Sequence, residues 1–151
     1  MTQSPTRRAR LTGTIEIALP PGRAFTLFTP TGERTWARGW DPQVPSPGTD
    51  ETEAGTVFRT DHGGRASIWA VFHCDPGRSI GYAVTTPGER CGLVTVTCRP
   101  FGDGTEATVG YDLTSLSPGA DTDLELFAAG YPSFLAHWEH AIANAMPGDH
   151  Q

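Results

Sequence analysis

Apolar residues recur at every second position near the start of the chain. Leu11, Gly13, Ile15, Ile17 and Leu19 alternate with Thr12, Thr14, Glu16 and Ala18. A period of two marks a strand with one buried face. Pro20-Pro21-Gly22 ends it, and proline suits the first turn of a helix, where its missing N–H is no loss. A short helix is expected over 23–28, with Phe25 and Phe28 on one side, and a second helical turn over 31–36. Residues 41–55 carry Pro42, Pro45, Pro47 and Gly48 among Asp50, Glu51 and Glu53. They read as a loop long enough to be a lid or rim. Strands follow near 56–60, 66–74, 79–86 and 91–99, and a last one over 105–115. His62-Gly63-Gly64, Asp75-Pro76-Gly77, Pro87-Gly88 and Phe101-Gly102-Asp103-Gly104 separate them; glycine supplies positive φ and proline presets φ. Such hairpin succession implies an antiparallel sheet, since parallel neighbours need long crossovers.

The period then changes. Leu124, Phe127, Tyr131, Phe134, Leu135, Trp138 and Ile142 form one stripe of a helix over 122–145. Thr122-Asp123-Leu124-Glu125 has the form of a capping box, Gly130 and Pro132 predict a bend, and Pro147-Gly148 a stop. One helix is about 10–12 Å wide, whereas six strands at roughly 4.8 Å spacing span more than twice that. A flat sheet would stay half uncovered, so the sheet must curl around the helix and leave a hollow between them. The expected class is α+β: a curved antiparallel sheet wrapped around one long C-terminal α-helix, with two short helices after the first strand. Residues 1–10 are expected as a flexible tail, 11–146 as a single domain and 147–151 as a C-terminal tail.

Polar positions set the faces. Glu106, Thr108 and Asp112 turn to water, which sends Ala107, Val109, Tyr111 and Leu113 toward the helix. The same rule points Ile80, Tyr82, Val84, Val94, Val96 and Cys98 inward. Over 66–74 both alternating sets are apolar. We take Ile68, Ala70, Phe72 and Cys74 as inward and Ser67, Trp69 and His73 as outward, an assignment that a one-residue slip would exchange.

Composition narrows the function. The 151 residues suit one domain with a real core. A net charge of −6 argues against a nucleic-acid partner, and the one basic cluster, Arg7, Arg8 and Arg10, falls in the polar tail, where it reads as solvated. No apolar run approaches the roughly 20 residues of a membrane span, so no membrane insertion is expected. The tail also lacks the apolar stretch of a secretory signal. Cys74, Cys91 and Cys98 are odd in number and lack metal-ligand spacing, which suits reduced thiols in a cytoplasmic chain. His137 and His140 stand three apart with Glu139 between them, whereas the zinc-binding helix motif needs histidines four apart. Neither a metal nor a cofactor is expected.

The segment Phe28-Thr29-Pro30 through Glu33-Arg34-Thr35-Trp36 and Gly39-Trp40-Asp41-Pro42 resembles the N-terminal helical region of the SRPBCC superfamily. Phe72-His73-Cys74-Asp75-Pro76-Gly77-Arg78-Ser79-Ile80 is similar to its strand–Asp-Pro-turn–strand element. The resemblance covers roughly 11–146 and implies the helix-grip fold. The superfamily includes START lipid-transfer domains, polyketide cyclases, pollen-allergen-like proteins and chaperone-activator homologues. Its members share a cavity and not a chemistry. The resemblance therefore implies a pocket for a lipid, polyketide or aromatic metabolite and carries over no fixed catalytic set.

Trp36 and Trp40 flank the 41–55 loop and are expected at the pocket mouth. Phe58, Ile68, Phe72, Tyr82 and Val96 are the expected ligand contacts from the sheet. Tyr111, with Phe127, Tyr131, Phe134 and Trp138, is expected to complete them from the last strand and helix. Tyr111, Tyr131 and His62 are weak catalytic candidates: the phenols for orienting or protonating an enolate, the histidine for acid–base work at the rim. The preferred reading is a binding protein for a hydrophobic or aromatic small molecule, as monomer or homodimer. The alternative is a polyketide cyclase, aromatase or dehydratase using the same cavity. A second alternative, a chaperone-activator-like interaction module, would need an apolar outer patch, for which Trp69 is the one hint.

Overall fold

The computed structural model describes residues 7–37, 39–43, 51–62 and 64–145. The outer parts of both tails, the centre of the 41–55 loop and Gly63 lie outside the described residues. The elements are β1 (Arg8–Ile17), α1 (Pro21–Thr26), a 3₁₀ turn (Gly32–Thr35), β2 (Val57–His62), β3 (Arg65–Asp75), β4 (Ser79–Thr86), β5 (Arg90–Phe101), β6 (Gly104–Ser115), α2 (Pro118–Ala129) and α3 (Tyr131–Ala145). The strands form one curved antiparallel sheet in the order β1-β6-β5-β4-β3-β2. Every pairing is a hairpin except that of β1 with β6. Gly88 and Gly102 turn two of the hairpins with φ of 77° and 58°, a region that side chains disfavour.

Three expectations change. First, β1 starts three residues early. Arg8 pairs with Thr114 across β6, and its guanidinium forks onto Asp112 at 2.9 and 2.8 Å. Arg7 reaches Glu125 at 2.6 Å. The basic cluster is thus the start of an edge strand rather than a solvated tail.

Second, β3 carries a register shift between Val71 and His73. Phe72 and His73 both face out across this bulge, so the inward set is Trp69, Val71 and Cys74. Ile68 and Phe72 are 41 % and 47 % exposed, which removes both from the expected ligand contacts. The Phe72 ring lies over Gly81, where a Cβ would come within 2.6 Å of it. Trp69, expected on the outer face, packs against Phe58 and Tyr82.

Third, the C-terminal rod is two helices. Ser117 caps α2, its hydroxyl accepting from the Ala120 N–H, so the helix starts before the Thr122 capping box. Pro118 then occupies the first turn, where it is at home. Gly130 separates α2 from α3, beside Pro132, which cannot donate to the Ala128 carbonyl. The expected bend therefore stands.

Register arranges the concave face into rows. Ile15, Ala107 and Cys98 share one, and Val109, Val96 and Ile80 the next. Tyr111, Val94, Tyr82 and Val71 follow, then Leu113, Gly92, Val84, Trp69 and Phe58. The last row is polar: Ser115, Arg90, Thr86, Ser67 and Thr60. α3 lies along the β1 edge of this face. A Cβ on Gly13 would meet Leu135 at 2.5 Å, and the Glu139 carboxylate accepts the Glu16 N–H at 2.7 Å. The helices thus cover one side of the sheet and leave the opposite side to other residues.

Candidate functional site: a cavity between two aromatic walls

That opposite side is covered by the segment after α1. The 3₁₀ turn sits close to α1; a Cβ on Gly32 would fall 1.7 Å from the Thr26 carbonyl oxygen, so only glycine permits the approach. The Trp36 and Trp40 indole N–H groups donate to the Leu27 and Pro30 carbonyls at 2.8 and 2.7 Å. With their polar edges anchored, both rings are fixed in orientation.

Two groups of aromatic rings result. One joins Phe28, Trp36, Trp138, Phe134, Tyr111, Phe127 and Tyr131 through centroid separations of 4.9–6.2 Å. The other joins Trp40, Phe58, Trp69 and Tyr82 at 5.2–5.9 Å. Among the described residues no ring contact links the groups; the Tyr82 hydroxyl bridges them by donating to the Phe28 carbonyl at 2.7 Å. A cavity of about 330 Å³ lies between them, with Val94 and Val96 in its wall.

The expected ligand contacts divide accordingly. Trp36, Trp40, Tyr82, Val96, Tyr111, Phe127, Phe134 and Trp138 line the cavity. Phe58 is buried behind Trp40 and Trp69. Tyr131 also stands outside the lining, its hydroxyl committed to the Val109 carbonyl at 2.8 Å, and burial pushes its phenol up to about 12. His62 ends β2 opposite Arg65; its side chain lies outside the described residues. His137 and His140 are exposed on α3, and among the described residues no cluster of three histidine, cysteine or acidic side chains could hold a metal.

Among the described residues six polar or aromatic lining residues went unforeseen, Thr60 and Ser67 of the polar row included. Trp69 enters through the β3 bulge. Asp61 lies at the β2 edge and pairs with Arg59 at 3.4 Å. Arg90 continues the inward alternation of Cys98, Val96 and Val94 through Gly92, and its guanidinium carbon stands 5.7 Å from the Phe127 centroid. Glu33 shares a face with Trp36, because residues three apart eclipse in a 3₁₀ turn. Both of the last two were legible from period alone.

Glu33 and Tyr111 are the chemically suggestive pair. The Glu33 side chain has no hydrogen-bond or ionic partner among the described residues. It lines the cavity and is only partly exposed. Burial therefore pushes its carboxyl well above the usual carboxylate range. The Tyr111 hydroxyl likewise lacks a hydrogen-bond partner among the described residues. Burial raises its pKa strongly, with Glu33 and Tyr131 adding to the effect and Arg90 opposing it. Among the described residues the cavity thus presents the Glu33 carboxyl, biased toward its protonated form, the Tyr111 phenol and the Arg90 guanidinium on otherwise largely aromatic walls.

The family described as polyketide cyclase / dehydrase and lipid transport matches residues 8–136. The chain belongs to that family. Solved structures bear out the SRPBCC-type helix-grip fold. A protein from Rhizobium leguminosarum is 18% identical, with 93% of this chain and 97% of that one covered and a TM-score of 0.68. DynU16, a protein in the dynemicin biosynthetic locus, is 17% identical over 91% of this chain and 48% of its own, with a TM-score of 0.64. The Aha1 dimer from Colwellia psychrerythraea is 12% identical over 89% of this chain and 96% of that one, with a TM-score of 0.63. No curated protein matches the chain. Family membership supports hydrophobic ligand binding in general terms. Among the described residues no helix is long and apolar enough to cross a membrane.

Proposed function

We propose that the chain binds a hydrophobic, partly aromatic small molecule in the cavity between the sheet and the C-terminal helices. One observation carries this: two separate aromatic walls face each other across about 330 Å³. The volume sits near the lower end of the roughly 300–1,000 Å³ of ligand pockets, which favours a compact ring system over a long acyl chain. Apolar burial contributes about 25 cal/mol per Å², less the cost of association, and each well-placed ring pair adds about 0.5–1.5 kcal/mol. Three cysteines outside any disulfide suit the reducing cytoplasm, where we place this activity. Native mass spectrometry of the purified protein is expected to reveal a retained small molecule. Protein that is bare and also refuses aromatic probes would refute the reading.

A second reading, an enzyme that cyclises or dehydrates a polyketide in the same cavity, is favoured by Glu33 and Tyr111. A protonated carboxyl can hand its proton to a substrate carbonyl and, as the carboxylate so formed, take the α-proton, while a phenol hydrogen-bonds the oxygen of the resulting enol. Glu33→Gln and Tyr111→Phe would then abolish turnover while leaving binding in place; a binding protein would lose little by either. Trp69, the one residue that hinted at the interaction-module reading, packs inward.

A further inference from the structure

Resting on the binding reading above, one lining residue narrows the class of guest. Among the described residues the cavity wall holds three acidic or basic side chains: Glu33, Asp61 and Arg90. Burial biases Glu33 toward its protonated form. Asp61 is offset by Arg59. Arg90 alone among the three carries a charge with no carboxylate partner among the described residues; its neighbour is the face of Phe127. A second arginine makes an instructive contrast. Arg99 stands over Phe101 at the same 5.7 Å on the outer sheet face, but its guanidinium also holds Glu106 at 2.7 Å. Two arginines thus share one aromatic geometry, and the one turned toward the cavity lacks the anion.

The polar row around Arg90 completes the site. Ser67 and Thr86 hydroxyls bond each other at 2.7 Å, which occupies one of their two hydrogens. Thr60 Oγ1 accepts the Trp69 indole N–H at 2.9 Å, which leaves its own hydrogen free to donate. Register puts this row at one end of the aromatic region, with Arg90 directly opposite Thr86 and Ser115. We propose that the guest is an aromatic or polycyclic molecule bearing one acidic group, such as a carboxylate, with that group seated on Arg90 and its rings between the two aromatic walls. A guanidinium matches a planar anion in two parallel hydrogen bonds, and an unpaired charge beside a low-dielectric cavity gains most from such a partner.

Fluorescence titration with two aromatic probes of similar shape tests this. Anilinonaphthalene sulfonate carries an anion, and N-phenylnaphthylamine is its neutral counterpart. The wild-type protein is expected to bind the anionic probe more tightly. Arg90→Gln should weaken that probe by about ten- to a hundredfold and leave the neutral one unchanged, Arg90→Lys should recover part of the loss, and Arg99→Gln should alter neither. Equal affinity for both probes in the wild type would overturn the inference and leave the binding reading intact. So would an equal loss of both in Arg90→Gln with no recovery in Arg90→Lys, since Arg90 would then serve only to pack Phe127. Failure of both probes to bind the wild type would bring down the binding reading and this inference with it.

Discussion

The two ends of the concave face are built from different side chains and reach different outcomes. At one end Ile15, Ile17, Ala107 and Val109 meet Leu135 and Ile142, every one of them at most 5 % exposed. Branched aliphatic groups and a closely laid helix interdigitate there as a crystal would. At the other end Trp40, Trp69, Tyr111 and Phe134 remain half-buried. Their planar rings, met mostly edge to face, build walls but fill the corners between them poorly. The helices cover the β1 side, and among the described residues the strands from β4 to β2 are roofed by indoles hung from backbone carbonyls. Hollowness follows from which residue types cover which strands.

Truncation at the filled end should cost most. Leu135→Ala removes a side chain wedged over Gly13 and is expected to lower stability by about 2–5 kcal/mol, read by thermal or denaturant unfolding. A loss below a tenth of that would mean this end is not packed. Tyr131→Phe deletes a buried hydroxyl committed to the Val109 carbonyl and should cost about 0.5–1.5 kcal/mol, the net worth of one hydrogen bond.

Glu33 tests the hollow end by pH. In the fold it keeps its proton where the unfolded chain, with a carboxyl near 4.5, has lost it. The folded state then binds more protons, so this group's contribution to stability falls as pH rises through that window. Glu33→Gln removes the fall: parent and variant should unfold alike below about pH 4, with the variant gaining relative stability at higher pH. Parallel curves at all pH values would place Glu33 in water.

The smallest effect is expected from Tyr111→Phe. It makes the same chemical change as Tyr131→Phe, but no partner is lost, so stability should move by no more than about 0.5 kcal/mol. Similar losses for the two phenols would erase the distinction between committed and available hydroxyls.

How far the chain could be read in advance differs between strands for a physical reason. β6 announces its faces because Glu106, Thr108 and Asp112 mark the wet side. β3 has apolar residues on both sides, so nothing in its alternation reveals the bulge at Phe72; the trace lies in the neighbouring strand, where bare Gly81 leaves room for the ring. Arg90 and Glu33 obeyed the periods of their own elements, and reading those periods to their ends would have reached both. The start of α2 was ambiguous because Ser117 and Thr122 can each cap, and Pro118 decides for the earlier one. That a narrow helical layer leaves a hollow was legible; that the hollow would be walled by two ring groups required knowing where Trp69 points.

All four tryptophans of the chain, Trp36, Trp40, Trp69 and Trp138, line the cavity, so intrinsic fluorescence reports on that space directly. Titrating N-phenylnaphthylamine into the protein and into Val94→Phe, which puts a ring into the cavity wall, tests the hollow most directly. We predict saturable quenching of tryptophan emission at one probe per chain, lost in the plugged variant while its fold persists. Quenching that never saturates, or that survives the plug unchanged, would contradict a guest-sized space between the walls.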